Sequence, residues 1–185
     1  MFIQTEQTPN PATLKFLPGR AVMHAGTADF PTADSAGRSP LAQRLFQIAG
    51  VSGVFLGADF ITVTKAAATD WHLMKPGVLG AIMEHLTAGH PVLLDESPGA
   101  AEGEPAGEED AIVSQIKDLI ETRVRPAVAQ DGGDIIFRKF EDGIVFLQMQ
   151  GSCSGCPSST ATLKAGIENM LRHYIPEVVE VRAVL

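Results

Sequence analysis

The sequence predicts an α+β protein in which two small domains are joined by a flexible acidic linker. The chain has 185 residues, of which 45% are hydrophobic, enough apolar side chains for two separate cores. Residues 97–109 read SPGAAEGEPAGEE and contain no large apolar residue, so this stretch cannot bury enough surface to become ordered. Strand and helix patterns alternate on both sides of it. We therefore expect domains at residues 1–96 and 110–185.

The first domain is predicted to combine short strands with two helices. Its strand patterns cover Phe2–Thr5, Leu14–Leu17, Val54–Leu56, Phe60–Thr64 and Pro91–Leu94. Ser39 before Pro40 has the form of an N-cap followed by proline at the first helical position, so a helix is expected to begin there. Pro76 is expected to open a second helix, with the segment Trp71–Met74 just before it in the core. The short connections favour antiparallel strands.

The second domain is predicted to follow an α-β-β-α-β order. The predicted elements are a helix over residues 112–128, strands at Ile135–Phe140 and Ile144–Met149, a helix from about Pro157 and a strand at Val178–Val184. Pro126 should end or kink the first helix, because proline lacks the backbone N–H that the helix needs. Asp142-Gly143 is typical of a two-residue turn and predicts that the first two strands form a hairpin.

Charge and composition exclude several classes of partner. The net charge of -8 and the pI of about 5.0 argue against nucleic acid, whose partners gather Lys and Arg. No apolar run approaches the roughly 18 to 20 residues that cross a bilayer, so no membrane partner is expected. The first residues show neither a secretory signal nor an Arg-rich transit sequence. We therefore expect a cytoplasmic protein, while a mature organellar form would look similar.

The two cysteines of the chain carry the clearest chemical signal. Cys153 and Cys156 stand three positions apart, which excludes a disulfide framework and favours metal binding or redox chemistry. If a helix begins directly after them, its unpaired N–H groups and positive dipole end favour thiolates at these positions. The surrounding Gly and Ser residues suit a sharp turn and are a poor place to bury apolar sulfur. We therefore predict that Cys153 and Cys156 are metal and cofactor ligands.

The number of thiolates predicts a homodimer. An iron–sulfur cluster of the [2Fe–2S] or [4Fe–4S] type usually takes four cysteines, whereas one chain supplies two. A symmetric dimer that brings two pairs together supplies all four. The residues themselves leave the cluster type open.

Three other interpretations of the cysteine pair stay open from the residues alone. A thioredoxin-like thiol–disulfide oxidoreductase also places C-x-x-C at a helix start, but here no aromatic residue precedes Cys153 and the preceding strands form an antiparallel hairpin. A zinc site would need ligands from two chains, because His173 is expected at the far end of the following helix. Two reduced cysteines that only fill space are the third alternative.

Three separated motifs resemble the C-terminal domain of NifU-like proteins. They are the segments Arg125–Asp134, Gly151–Ser159 and Thr162–Glu168. The segment Gln7–Phe16, which reads QTPNPATLKF, is similar to the start of the Nfu-type N-terminal domain. Both halves therefore resemble one two-domain family of iron–sulfur scaffold and carrier proteins.

The resemblance implies a function for the cysteine pair. In that family the C-x-x-C cysteines ligate a [4Fe–4S] cluster at a dimer interface, so Cys153 and Cys156 are expected to do so here. The protein would be a carrier without enzymatic activity that receives clusters from upstream assembly machinery and passes them to apo iron–sulfur proteins. Residues 131–134 also match the family, but we interpret them as a helix stop and turn. The scattered histidines are interpreted as solvated or core groups.

Overall fold

The computed structural model describes residues 1–94, 111–154 and 157–184. The chain divides into two compact units, Met1–Gly99 and Ala100–Leu185. Each unit contains helices and a sheet, so the predicted α+β class with two domains is confirmed. The predicted linker at residues 97–109 lies outside the described residues. Among the helices of the described ranges, none is long and apolar enough to cross a membrane.

The N-terminal unit is built on an antiparallel sheet. Its described strands are β1 (Gln4–Gln7), β2 (Thr13–Leu17), β3 (Ala28–Phe30), β4 (Val51–Leu56) and β5 (Ile61–Lys65), in the order β1-β2-β5-β4-β3. The predicted antiparallel pairing and the β4–β5 hairpin are confirmed. The sequence did not reveal β3, because three residues are too few to show alternation.

One predicted strand of this unit is wrong. Residues 91–94 form a loop in which the Leu94 amide donates a hydrogen bond of 2.8 Å to the Arg38 carbonyl. Leu93 is buried in the core without strand pairing. A run of apolar residues indicates that a segment is buried, but it does not distinguish a strand from a loop packed on the core.

Two helices complete the N-terminal unit, and one begins earlier than predicted. Helix α1 spans Pro40–Phe46, and the Ser39 hydroxyl accepts a 3.0 Å hydrogen bond from the Ala42 amide, which confirms the predicted cap. Helix α2 spans Trp71–Thr87, so its predicted start at Pro76 is wrong. The Asp70 carboxylate accepts a 2.8 Å hydrogen bond from the His72 amide. This side-chain cap fixes the helix start ahead of the proline.

The predicted core position of the segment Trp71–Met74 is only partly right. Met74 is buried, whereas His72 is exposed. Trp71 is half-buried, with its ring centroid 6.4 Å from that of Phe16. Its indole N–H donates a 3.4 Å hydrogen bond to the Pro11 carbonyl, so the tryptophan also secures the Pro-rich loop before β2.

The C-terminal unit has the predicted α-β-β-α-β order. Its elements are α3 (Ala111–Leu119), a π-helical turn (Ile120–Val124), α4 (Arg125–Gln130), β6 (Gly133–Glu141), β7 (Ile144–Gly151), α5 (Pro157–Tyr174) and β8 (Glu180–Val184). Strands β6 and β7 pair antiparallel, and β7 and β8 pair parallel. The connection from β7 through α5 to β8 is therefore a βαβ unit.

Local sequence signals in this unit act largely as expected. Asp142 and Gly143 have φ values of 52° and 76°, the geometry of a tight two-residue hairpin turn. Pro126 does not end the helical run, since α4 continues past it to Gln130. The helix is irregular just before the proline, where residues Ile120–Val124 form a π-helical turn.

The core of the C-terminal unit joins the helical run, the sheet and α5. Its most buried members include Ile116, Ile120, Val128, Ile135, Leu147, Ile167 and Leu171. Because β7 leads to α5 and both belong to this core, the short connection between them is held at both ends. That connection carries the two cysteines.

His85 is a buried titratable group in the N-terminal unit. Its Nε2 donates a hydrogen bond of 3.0 Å to the Pro91 carbonyl, which secures the loop after α2. Burial lowers the pKa of His85 below its ordinary value, and the nearby His90 and Arg44 oppose its protonation further. Arg44 itself pairs with Glu84 at 2.9 Å. His85 is therefore a core group, as the sequence interpretation allowed.

We expect the N-terminal unit to lose stability as the pH falls below about 6.5, because the unfolded chain binds the His85 proton more readily than the folded chain. Thermal unfolding of the full chain between pH 7.5 and pH 5, monitored by circular dichroism, measures the dependence. His85→Gln keeps a donor for the Pro91 carbonyl but cannot titrate, so its melting temperature should vary less with pH. Equal pH slopes in the two proteins would contradict the assignment.

We also expect residues 111–185 to fold as an isolated fragment, because their core contains members from every secondary-structure layer of the unit. The fragment should show a cooperative thermal transition and dispersed amide NMR signals. A fragment that stays unfolded even with iron and sulfide present would show that the boundary is misplaced.

Candidate metal centre

A tight turn between strand and helix carries Cys153. Strand β7 ends at Gly151, whose φ of 65° lies in the left-handed region that favours glycine. Both the amide and the hydroxyl of Ser154 donate hydrogen bonds to the Gly151 carbonyl, at 3.2 and 2.9 Å. Helix α5 begins at Pro157, as the sequence predicted. The second predicted ligand, Cys156, lies outside the described residues.

Three hydrogen bonds fix the backbone on either side of Cys153. The Ser152 amide donates to the Gly132 carbonyl at 3.2 Å, and the Ser152 hydroxyl donates to the Asp131 carbonyl. From the other side, the Thr160 hydroxyl donates to the Cys153 carbonyl at 2.9 Å. Residues 151–154, which we call the cysteine turn, are therefore hydrogen-bonded both to the end of the first helical run and to the first turns of α5.

The side chain of Cys153 is buried. Only 6% of the residue is exposed, and it belongs to the core of the C-terminal unit. The pKa of the Cys153 thiol is raised to about 11, mainly by burial, with a smaller contribution from the carboxylates of Asp131 and Asp134 and an opposing one from a hydrogen bond with Ser152. The expectation that this turn would leave the sulfur unburied is wrong. Burial therefore favours the thiol over the thiolate at this position, because desolvation penalises the charged form.

The segment 131–134 joins the turn to the first helical run. Arg125 donates two hydrogen bonds of 2.8 Å to the two carboxylate oxygens of Asp134, which is only 3% exposed. Arg125 also pairs with Glu121 at 2.7 Å, and the two carboxylates raise the pKa of Arg125. Gly132 has a φ of 82°, which identifies it as the turn glycine of the motif. These contacts agree with the interpretation of the segment as a helix stop and turn.

Gly133 is a site residue that the sequence analysis did not single out. A Cβ atom placed on it would lie 2.6 Å from the Cys153 sulfur. The sequence offers no reason to assign Gly133 a different role from Gly132, because a turn already explains a Gly-Gly pair after a helix. Only the folded chain brings it against the cysteine.

Within the described ranges, no group of three or more His, Cys, Asp and Glu side chains is placed to hold a metal ion. His173 stacks edge-on against Tyr174 at a centroid distance of 5.1 Å, near the end of α5 and away from the cysteine turn. The described part of a single chain therefore offers Cys153 without a complete set of ligands around it.

The geometry bears on the oxidoreductase alternative in two ways. The predicted antiparallel hairpin before the cysteines is confirmed, but β7, α5 and β8 also form a βαβ unit, which the sequence analysis did not foresee. However, the attacking thiol of a disulfide oxidoreductase needs exposure and a lowered pKa. Cys153 is buried and its pKa is raised, so the first cysteine of the pair is a poor nucleophile.

Both units match families of known proteins. Residues 3–89 match the family model described as "Scaffold protein Nfu/NifU N terminal", and residues 116–182 match "NifU-like domain". The human protein named NFU1 iron-sulfur cluster scaffold homolog, mitochondrial, is 53% identical over 186 residues, covering 100% of this chain and 72% of that protein. NifU-like protein 4, mitochondrial, of Arabidopsis thaliana is 53% identical over 181 residues, covering 96% of this chain and 64% of that protein.

A solution NMR structure of a NifU-like protein from Saccharomyces cerevisiae is also similar. It is 29% identical, covers 50% of this chain and 84% of its own, and superposes with a TM-score of 0.46.

The comparison overturns the predicted cytoplasmic location. The human, Drosophila sechellia and Arabidopsis relatives are all named as mitochondrial proteins. A targeting leader is a separate, removable segment, so the composition of the folded domains does not report the compartment.

The resemblance noted in the sequence is confirmed by these matches. The two family models follow each other in chain order, one on each unit, and the identity to the human protein extends along the whole chain. This chain therefore belongs to the Nfu and NifU-like family of scaffold proteins.

Proposed function

We propose that this protein is an iron–sulfur cluster scaffold and carrier that holds a cluster between Cys153 and Cys156 of two protomers. The observation that carries the proposal is the cysteine turn at the junction of β7 and α5, in a unit that matches the NifU-like domain. The human relative is named an iron–sulfur cluster scaffold, which supports the same role. The cluster is cargo rather than a resident cofactor.

The homodimer in this proposal follows from the ligand count. A cubane cluster takes four thiolates and the chain contains two cysteines, so two chains supply a full set. A two-fold axis beside the turn would bring the pairs together with equal geometry in both protomers. We assign the [4Fe–4S] type from the resemblance of the motifs, since four thiolates also serve a [2Fe–2S] cluster.

Loading would be coupled to proton release. The pKa of the Cys153 thiol is raised to about 11, whereas the metal ligand is the thiolate. Binding of iron must therefore displace the Cys153 proton, and the affinity should rise with pH. The same property protects the apo protein, because a buried, protonated thiol reacts slowly with oxidants.

Delivery would proceed by ligand exchange with an apo iron–sulfur protein. Upstream assembly machinery supplies the cluster, and the acceptor's thiolates replace those of the carrier. No substrate bond is made or broken catalytically, so we propose a carrier and not an enzyme. Because the cluster joins the protomers, its departure would also remove the link between them.

We expect Cys153→Ala and Cys156→Ala each to abolish stable cluster binding, since two ligands of the dimeric site are lost with each substitution. Anaerobic reconstitution with iron and sulfide, read by thiolate-to-iron charge-transfer absorption and by iron content, measures this. Cys153→Ala should also destabilise the apo protein by about 1 kcal/mol, because it removes a buried sulfur atom.

Gly166→Ala in α5 is the matched control, since a Cβ atom there meets nothing within 4 Å and the substitution removes no sulfur. It should bind the cluster as the unaltered chain does. Retention of the full charge-transfer band in either cysteine variant would refute the ligand assignment.

We further expect cluster loading to shift the protein from monomer to dimer by mass action. Sedimentation of the apo protein should show mainly monomer, and the reconstituted protein should sediment as a dimer. Removal of the cluster by a chelator should return it toward monomer. An apo dimer whose affinity is unaffected by the cluster would contradict the coupled release while leaving the ligand count intact.

A further inference from the structure

Gly133 is buried at the first residue of β6, where it pairs with Gly151 of β7. Its φ is outside the left-handed region, unlike the φ of 82° at Gly132. The backbone conformation at Gly133 is therefore one that any amino acid adopts, and the turn does not explain its glycine. The glycine must therefore be explained by how much room a side chain would have at Gly133.

The space beside Gly133 is filled by the cysteine turn. A Cβ atom on Gly133 would lie 2.6 Å from the Cys153 sulfur, 2.7 Å from the Gln150 carbonyl oxygen and 3.1 Å from the Cys153 amide nitrogen. Ordinary non-bonded contacts are about 3.5–4.0 Å, so a methyl group there would have to displace its neighbours by about 1 Å. Two of the three neighbours are backbone atoms, which yield less readily than a side chain.

The rest of the turn leaves the sulfur few other positions. Ser152 is bonded to the carbonyls of Asp131 and Gly132, and Thr160 is bonded to the Cys153 carbonyl. With the backbone held on both sides, the Cys153 sulfur lies directly against Gly133.

We propose that Gly133 is a positioning residue for the cluster, whose missing side chain forms the recess that sets the position of the Cys153 sulfur. This inference rests on the proposed function, because it assumes that Cys153 is a ligand. The sequence pair Gly132-Gly133 then has two separate roles: Gly132 makes the turn, and Gly133 makes room for the ligand. Glycine is required at the second position by contacts with Gln150 and Cys153, which lie further along the chain on the neighbouring strand and the turn after it.

Gly133→Ala tests the proposal, with Gly166→Ala as the matched control. Gly166 lies in α5 of the same unit, and a Cβ atom there meets nothing within 4 Å. Gly133→Ala should weaken cluster binding by roughly 10–100-fold, the usual effect of disturbing the support of a metal ligand. The electron paramagnetic resonance spectrum of its reduced cluster should differ from that of the unaltered protein. Gly166→Ala should match the unaltered protein in both measurements.

A second measurement needs no cluster. In a Cys156→Ser background Cys153 is the only cysteine of the chain, so its alkylation by iodoacetamide is followed by intact mass. Gly133→Ala should expel the sulfur from its recess and speed alkylation on the order of tenfold, while Gly166→Ala should not. If the unaltered chain binds no cluster, the proposed function fails, whereas this steric result can still stand.

A third measurement covers the case in which Gly133→Ala destabilises the fold. The drop in melting temperature caused by Gly133→Ala should be smaller in a Cys153→Ala background, where the shortest clash is absent. Equal drops in both backgrounds would overturn the proposal. Normal cluster affinity in Gly133→Ala would also overturn the proposal, whether or not alkylation is faster.

Discussion

The ion pair between Arg125 and Asp134 is the contact around which the C-terminal unit is arranged. It joins α4 to the start of β6 through two parallel hydrogen bonds of 2.8 Å, and the Asp134 carboxylate also accepts the Ile135 amide at 2.8 Å. Asp134 is only 3% exposed, and its carboxylate needs these partners because an unpaired buried charge is costly. The pair therefore holds the start of β6 in place, including Gly133, which lies against the Cys153 sulfur.

Burial and charge act in the same direction on Cys153. The packed core and two acidic neighbours both favour the thiol, only the hydrogen bond with Ser152 favours the thiolate, and the pKa of Cys153 is raised as a result. The Cys153 side chain is thus held as a buried thiol in a turn whose backbone is fixed on both sides. Under the proposed function, the positive charge of a bound metal ion would have to overcome this preference for the thiol, since the metal ligand is the thiolate.

The errors in the sequence interpretation share a physical cause. The sequence places the start of α2 at Pro76, but the Asp70 cap lies earlier and Pro76 stands inside the helix. Residues 91–94 are apolar because they pack on the core, not because they pair in the sheet. The parallel pairing of β7 and β8 was not foreseen, since strand direction depends on how α5 crosses the sheet. In each case a local pattern was compatible with two structures, and tertiary contacts selected one.

The sequence by itself determined the α+β class, the α-β-β-α-β order, the hairpin at Asp142-Gly143 and the family, because these depend on periodicity, turn residues and motifs that lie close together in the chain. It also supplied the cysteine pair as candidate ligands. The tertiary structure alone decided that Cys153 is buried with a raised pKa, that Asp134 pairs with Arg125, and that Gly133 faces the sulfur. Those properties depend on contacts between atoms that are distant in sequence and adjacent in space. A local sequence pattern does not predict such contacts.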